Sequence, residues 1–314
     1  MSFEIDLVYL WVDDTDAEWL KKKNSYLKET TGRDEDAVSD CRFSNNDELK
    51  YSLRSVEKNA PWINKIFIVT DGQVPSWLNT NHPKIKIVDH SEIIPKEYLP
   101  VFNSCAIETR IPFIEGLSEY FLYANDDMFV WNKIEKEFFF KDNKPIFRTE
   151  KFFKKNRIYK ALYGSTILRA YNLVTKKFNL NFYCFFPHHN IDAYKKSSFL
   201  NCIKEFQEEF DETVKHRFRE ENDIQRTIVA FYSIAKEEAI LKKLNTTFLH
   251  KLLNLKVDSR MYSLKNKNFS NLIRSKSKLM CINDNKRTTS KDREELKKIL
   301  EMKFNKKSSF EKEG

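Results

Sequence analysis

The alternation of apolar and polar positions predicts that the chain opens on a buried strand. Ile5 to Val12 is a run of aliphatic, β-branched and aromatic residues that ends in Asp13-Asp14-Thr15-Asp16, the pattern of a core strand followed by a polar turn. Asp16 is placed to cap a helix from Ala17 to about Glu29. Residues 30–44 are polar and without period, which predicts a loop. Asn45 or Asn46 then caps a helix with Leu49, Leu53 and Val56 at i, i+4 and i+7, and Pro61 stops it. Lys65–Thr70, Ile85–Val88 and Tyr120–Asn125 read as three further strands, and Asn103–Ile114 is helical in pattern up to Pro112. Strands alternating with helices predict an α/β core whose parallel or mixed sheet is covered by helices on its faces.

The second half has a different texture. Residues 132–160 are rich in Lys and Phe, including Phe138-Phe139-Phe140 and Phe152-Phe153, and read as a peripheral β/loop insert. Residues 161–182 are helical in pattern. The break Phe185-Phe186-Pro187-His188-His189-Asn190-Ile191-Asp192 separates them from helical stretches over 193–215 and 222–244. Residues 246–282 read as loop and strand. Residues 289–304 form an amphipathic helix on Leu296, Ile299, Leu300 and Phe304, and the tail from Asn305 reads as charged and disordered. The organisation expected is a core first part over 1–131, an insert over 132–160, a largely helical portion over 161–285 that completes the site, and a basic C-terminal helix and tail over 286–314.

Composition narrows the class. A chain of 314 residues can bury a large core, and 26 Phe and 13 Tyr argue against disorder over most of it. Five glycines leave no room for a glycine-rich phosphate loop, so any nucleotide is held by other means. The formal charge of +9 suits an anionic substrate or an anionic membrane face, although solvated lysines on helix faces would give the same sum. Lys291, Lys297, Lys298, Lys303, Lys306 and Lys307 could dock the C-terminal region on a membrane surface or on partner enzymes. No zinc finger, RNA-binding aromatic motif or uniform basic stripe is present, so nucleic acid is not the expected partner. Five scattered cysteines without a C-x-x-C point to reduced thiols and a cytoplasmic setting. The first residues do not resemble a signal peptide, and no window is apolar enough to span a bilayer.

The candidate chemistry gathers at strand ends. Asp126 and Asp127 follow the buried strand Phe121-Leu122-Tyr123-Ala124, and two carboxylates there can hold Mg²⁺ against a phosphate. Successive strand residues face opposite ways, so one of the pair is placed to reach the ion directly. Trp11 and Asp13 end the first strand. If the two strands are neighbours their ends share a crevice, with Trp11 stacked on a base or filling core. His188 and His189 precede Asp192, and a carboxylate beside an imidazole suits a general base or a nucleophile. Arg219, among the charges of 216–226, suits a phosphate clamp. Asn283 and Asp284 could add oxygen ligands or simply form a turn.

These residues carry a resemblance. Ile5–Asp13, the long run Asn46–Ser55 through Asp71–Asn79, Ile85–His90, Phe102-Asn103-Ser104 with Ala106-Ile107-Glu108, Asn125-Asp126-Asp127, Pro187-His188-His189 with Ile191-Asp192, Arg219 with Asp223, and Cys281-Ile282-Asn283-Asp284-Asn285 resemble the Stealth family of sugar-1-phosphate transferases. The resemblance is strong over 6–131 and thinner over 184–285. Two departures stand out: Asp13-Asp14 where the family often has Asp-Gly, and Ile111-Pro112-Phe113 where it often has a histidine.

The resemblance implies a Rossmann-like, GT-A-like nucleotide-sugar transferase core and a divalent ion, Mg²⁺ or Mn²⁺. It implies transfer of a hexose-1-phosphate from a UDP-sugar such as UDP-GlcNAc to a sugar hydroxyl of a growing glycan, with release of UMP. Its acidic pair falls on Asp126 and Asp127, its histidine on His189 (with His188 as the other choice), and its arginine on Arg219. Asn283 and Asp284 are expected near the ion, and Trp11, Asp13, Asn46, Asp47, Arg54, Asp71, Asn103, Asp192 and Asp223 at the substrate. The alternatives are a conventional metal-dependent glycosyltransferase that releases UDP, and a non-catalytic carbohydrate-binding protein. Peripheral attachment to the inner membrane or a capsule complex, and a homo-oligomer, are compatible with all three.

Overall fold

The computed structural model describes residues 3–27, 43, 45–153, 162–180, 184–244, 257–264, 272–285 and 287–313. In chain order the first half contains β1 (Ile5–Leu10), α1 (Ala17–Leu27), α2 (Glu48–Asn59), β2 (Ile66–Thr70), β3 (Ile85–Asp89), α3 (His90–Ile93), α4 (Ser104–Glu108), β4 (Tyr120–Asn125) and β5 (Met128–Val130). There follow β6 (Phe140–Lys141), β7 (Lys144–Phe153), α5 (Leu162–Lys177), β8 (Cys184–Pro187), β9 (Asp192–Lys195), α6 (Lys196–Glu205), α7 (Gln207–Lys215) and α8 (Thr227–Ala235). The chain closes with β10 (Ile240–Lys243), β11 (Val257–Ser263), β12 (Ser277–Asn283) and α9 (Ser290–Lys303).

The central sheet has the order β3-β2-β1-β4-β9, parallel except for β9. This is the Rossmann-like α/β arrangement that the sequence predicts, with a change of direction in strand order beside β1, where such sheets hold ligands at the carboxyl ends of their strands. The strands are apolar because both faces are covered. Val8, Phe67 and Phe121 face one core with α5, α6 and α8, while Ile5, Leu7 and Tyr9 face the other with Leu49, Leu53 and Val56 of α2. Asp6 is the polar exception in β1. Its buried carboxylate accepts from Asn64 Nδ2 at 2.9 Å, Lys65 N at 3.0 Å and Ser118 N at 2.7 Å, so it ties β1 to the segments that enter β2 and β4.

β5 leaves β4 through the turn at Asp126-Asp127 and pairs antiparallel with β12. Its other edge is satisfied by side chains of α2, one polar stripe at i, i+3 and i+7. Ser52 Oγ donates to Met128 O, Ser55 Oγ accepts from Val130 N at 3.0 Å, and Asn59 Nδ2 donates to Val130 O at 2.7 Å. A second sheet, β10-β7-β6 with β8 on β7, carries the histidine segment. Phe138, Phe139 and Phe140 are buried in the same cluster as Ile5 and Leu7, so the start of the 132–160 stretch joins the core.

Several expectations need correction. Residues 193–215 do not open as helix: Asp192–Lys195 is a strand on the edge of β4, a role fixed by tertiary pairing that its short sequence does not signal. Within 222–244 the helix stops at Ala235 and Ile240–Lys243 pairs in parallel with β7. The N-cap of α2 is Asp47, at φ 64° and without a side-chain cap bond, while Asn45 Oδ1 accepts from Asp47 N at 3.1 Å. Residues 30–44 lie, except for Phe43, outside the described residues. Cys105, Cys184, Cys202 and Cys281 are buried free thiols. Among the described residues no helix is long and apolar enough to cross a membrane.

The tail is the largest departure. Phe310 is buried in the core beneath α2. Asn79 N donates to Phe310 O at 2.8 Å, and Lys312 N to Trp77 O at 2.9 Å. Arg54 takes Glu311 through two bonds of 2.8 Å, Glu301 at 3.0 Å and Phe304 O at 2.9 Å. The buried guanidinium of Arg54 makes the tail part of the fold, because its charge needs the Glu311 carboxylate. Glu311→Gln is expected to lower unfolding free energy by about 3 kcal/mol, and deletion of residues 306–314 by more, both read from urea unfolding; a neutral deletion would show that the tail does not hold α2.

Candidate active site

A cavity of about 740 Å³ lies at the carboxyl ends of β1, β2 and β4, within the size range of small-molecule sites. The pairing of β1 with both β2 and β4 brings Leu10, Val69 and Asn125 level, so the residues that follow these strands line one crevice. Trp11, Asp126, Asp127, His188, His189, Arg219, Asp223, Asn283 and Asp284 all line it.

Carboxylates make the floor. Asp126 and Asp127 occupy the turn into β5, and Glu48 joins them from the first turn of α2. The Ser52 and Tyr9 contacts fix that helix end, with Tyr9 Oη 2.7 Å from Ser52 Oγ. Burial and then the charges of Glu48 and Asp127 push the Asp126 carboxyl well above its usual range. Burial pushes Asp127 up to about 6 and Glu48 to about 7, although Asn46 donates to Glu48 from its backbone at 2.6 Å and its side chain at 2.8 Å. Asp127 Oδ1 is buried without a hydrogen-bond partner. Crowded carboxylates with one orphaned oxygen fit a hard divalent cation, which would relieve the repulsion that raises them. Asp284 is less available, since its Oδ2 accepts from Arg293 Nε at 2.8 Å.

β12 delivers the next wall. Cys281 is opposite Met128, and Ile282 N donates to Asp127 O at 3.0 Å. This sets Cys281 Sγ 3.4 Å from Asp127 Oδ2, as donor. His189 comes from the turn after β8, with its ring edge-on to Tyr163 at 5.8 Å. One ligand atom each of Asp127, His189 and Cys281 lies within 4.8 Å of the others. Burial first, then the cation of Arg226, pulls the His189 imidazole down to about 4, so it is neutral at physiological pH. His188 is buried, with Nε2 3.3 Å from Asp192 Oδ1 and its backbone N donating to Arg148 O at 2.9 Å.

Two arginines line the same cavity. Arg219 donates through Nη2 to Ser104 Oγ. Its loop is held by Asn103, whose Nδ2 donates to Asp223 Oδ2 at 2.8 Å and to His216 O at 3.1 Å, and by Glu220 N on Asp223 Oδ2 at 2.9 Å. Arg226 is 4 % exposed. It bonds Glu108 Oε1 at 3.1 Å and Asp192 Oδ2 at 3.4 Å, and lies 4.3 Å over the Tyr123 ring. Burial opposes its charge, but Glu108 foremost and Asp192 with it outweigh that and hold its pKa above the ordinary value.

The other sequence-derived candidates do not line the cavity. Asp13 Oδ1 accepts from Thr15 N and Oγ1 at 3.0 and 2.7 Å. Asn46 buttresses Glu48, Asp47 pairs with Lys297, Arg54 anchors the tail, and Asp71 pairs with Lys22 at 2.6 Å. Asn103 and Asp192 act through Asp223, His188 and Arg226. Glu48, Glu108, Arg226, His90 and Cys281 line or flank the cavity and were not singled out. Glu48 lay inside the quoted run at 46–55. Glu108 and His90 lie in shorter segments that carry the resemblance but have no assigned role there, and Arg226 has no signal except charge at a helix end.

The model of Stealth protein conserved region 2 matches residues 42–147, and that of conserved region 1 matches residues 3–31. The capsular polysaccharide phosphotransferase WcwK of Streptococcus pneumoniae is 32% identical over 98% of this chain and 98% of its own length. The capsular polysaccharide phosphotransferase fcs1 of Haemophilus influenzae is 39% identical over 70% of this chain and 62% of its own length. Among solved structures, the galactosyltransferase LgtC in complex with donor and acceptor sugar analogs covers 95% of both chains at 9% identity and TM-score 0.46.

Two stability outcomes follow from the geometry. Arg226→Met strands Glu108 and Asp192 together and is expected to cost about 3–5 kcal/mol in urea unfolding, with part of the loss recovered when Glu108→Gln is added. His216 Nδ1 lies 2.7 Å from Asp223 Oδ1; that bond raises its pKa against burial, with Glu212 and Glu220 adding to it. The raised pair stabilises fully below about pH 6.5 and loses its contribution as pH rises through the folded value. The urea midpoint should therefore fall on the alkaline side in the native protein, and fall less in Asp223→Asn.

Proposed function

The chain belongs to the Stealth family, and from that premise we propose that it is a sugar-1-phosphate transferase of capsular or surface polysaccharide synthesis. It moves hexose-1-phosphate from a UDP-sugar, UDP-GlcNAc or similar, to a hydroxyl of a glycan acceptor. The observation that carries this reading is the lining of one cavity: buried carboxylates, a neutral imidazole within reach of Asp127, and Arg219. A diphosphate needs charge neutralisation on both sides and a base within reach of an incoming hydroxyl, and phosphoryl transfer asks for little else.

Asp126 and Asp127 would hold Mg²⁺ or Mn²⁺, with Glu48 beside them; when bound, the ion neutralises phosphate oxygens. His189 accepts the proton of the acceptor hydroxyl as its oxygen attacks the phosphorus nearer the sugar. The bond from that phosphorus to the bridging oxygen breaks, and UMP leaves with the electron pair. Arg219 binds the phosphate oxygens, where charge builds. Arg226 does not touch substrate in this scheme. It holds Asp192, and through it His188, in place.

The test is a panel of UDP-, GDP- and CDP-sugars with acceptor oligosaccharides and Mg²⁺, read by the mass of the nucleotide released. UMP is expected, and UDP would overturn the assignment in favour of ordinary glycosyl transfer. Asp127→Asn and His189→Asn should each lower kcat/KM by about 10²–10⁴, and chelation should abolish turnover until Mg²⁺ is restored. A phosphohistidine trapped on His189 under single turnover would replace direct attack by double displacement.

A further inference from the structure

The cavity floor carries a second set of donors that shares one residue with the first. We propose that Asp127, His189 and Cys281 form a binding site for a thiophilic divalent cation, of which Zn²⁺ is the best match, and that occupation of this site silences transfer. The first half stands on geometry alone; the second rests on the transferase function proposed above.

Among the described residues this is the one cluster of three such ligands. Its donor set is a thiol, an imidazole and a carboxylate with ligand atoms within 4.8 Å of one another. That set, with a fourth position left for water, is a zinc set, whereas Mg²⁺ takes oxygen and leaves sulfur aside. The thiol is not a chance neighbour. The antiparallel register of β5 and β12 and the bond from Ile282 N to Asp127 O fix Cys281 beside the carboxylate. Asp127 Oδ1 is buried without a partner, so a ligand atom is still to be satisfied there. Binding replaces the thiol proton, which leaves to solvent as the sulfur–metal bond forms. An ion so held takes one carboxylate from the Mg²⁺ set and the ring nitrogen from the base. The two states of the floor are therefore mutually exclusive.

Co²⁺ is the spectroscopic probe. Titrated into the metal-free full chain, it should produce a thiolate-to-cobalt charge-transfer band that saturates at a single ion per chain. Zn²⁺ should bleach the band at near-stoichiometric amounts, and Mg²⁺, which competes only through Asp127, only in large excess. Cys281→Ser should lose it, and His189→Ala should keep the thiol but bind Zn²⁺ on the order of 10–100-fold more weakly. Absence of the band in the native protein, or its persistence in Cys281→Ser, overturns the site. Should Cys281→Ser fail to fold, unchanged Zn²⁺ affinity in His189→Ala overturns it instead. With Mg²⁺ and the active donor present, added Zn²⁺ should inhibit, and the inhibition should need at least about tenfold more Zn²⁺ in Cys281→Ser. Zn²⁺ binding without inhibition overturns the second half. If no donor turns over at all, the function fails while the cobalt band still decides the site.

Discussion

The site depends on a buried guanidinium. Arg226 sits almost without solvent at the start of α8, where an unpaired charge would be prohibitively costly. It is tolerated because Glu108 of α4 and Asp192 of β9 supply two carboxylates. The three residues come from segments far apart in sequence, so the requirement for neutrality docks the helical second half on the sheet. Asp192 then carries the constraint to His188. Glu108 carries it to Tyr123, whose hydroxyl donates to Glu108 Oε1 at 3.0 Å and also meets Asn125 Oδ1 at 2.7 Å, next to the acidic turn. One ion network thus sets the histidine wall and the carboxylate floor relative to each other.

The floor is braced a second time from outside the sheet. α2 looks in sequence like an ordinary amphipathic helix, with Leu49, Leu53 and Val56 inward. Its distinctive feature is the polar stripe Ser52, Ser55 and Asn59, which substitutes for a neighbouring strand on the free edge of β5. Without those bonds three backbone groups would be buried and unpaired. On the opposite edge β12 makes regular ladder pairs. β5 is only three residues long, and two-sided anchoring is what makes so short a strand a rigid support for Asp126 and Asp127. The same helix presents Glu48 at its first turn and is held from beneath by Arg54 and the tail.

What was legible in the sequence follows from how local each signal is. β1, β2 and β4 announce themselves as continuous apolar runs, because a strand covered on both faces has no polar side to show. Asp126 and Asp127 are legible for the same reason: they break such a run at its end. Residues 193–195 read as helix because the strand identity of Asp192–Lys195 comes from β4, across the fold. The tail was read as disordered because its charges dominate its composition. The two residues that matter are fixed from more than two hundred positions away, Phe310 by Asn79 and Glu311 by Leu78 and Arg54. In the site, residues with unusual composition around them (His188-His189, Asp126-Asp127) stood out. Glu108 and Arg226 did not, since a lone charge near a helix end looks the same whether it faces water or a buried partner. Arg54 and Asp71 drew attention inside a distinctive run and turned out to serve its architecture.

The electrostatics of the cavity constrain what can fill it. The floor buries Glu48, Asp126 and Asp127, and burial first, with neighbouring carboxylates adding to it, drives their carboxyls upward, so an anion alone would be repelled there. The same cavity also holds Arg219 and the field of Arg226, so a cation alone would gain from the carboxylates and lose against the guanidinium groups. A divalent ion together with a diphosphate satisfies both sides at once: the ion meets the carboxylates, and the phosphate oxygens meet the ion and the guanidinium. Each partner then lowers the cost of binding the other, which in thermodynamic terms is positive coupling between two ligands. A neutral sugar has no such effect and gains from neither charged wall. The charge distribution therefore favours a phosphorylated ligand bound with a divalent ion over a neutral sugar. Burial and the charge of Arg226 keep His189 uncharged, and a protonated imidazole there would compete with such an ion for the same carboxylates.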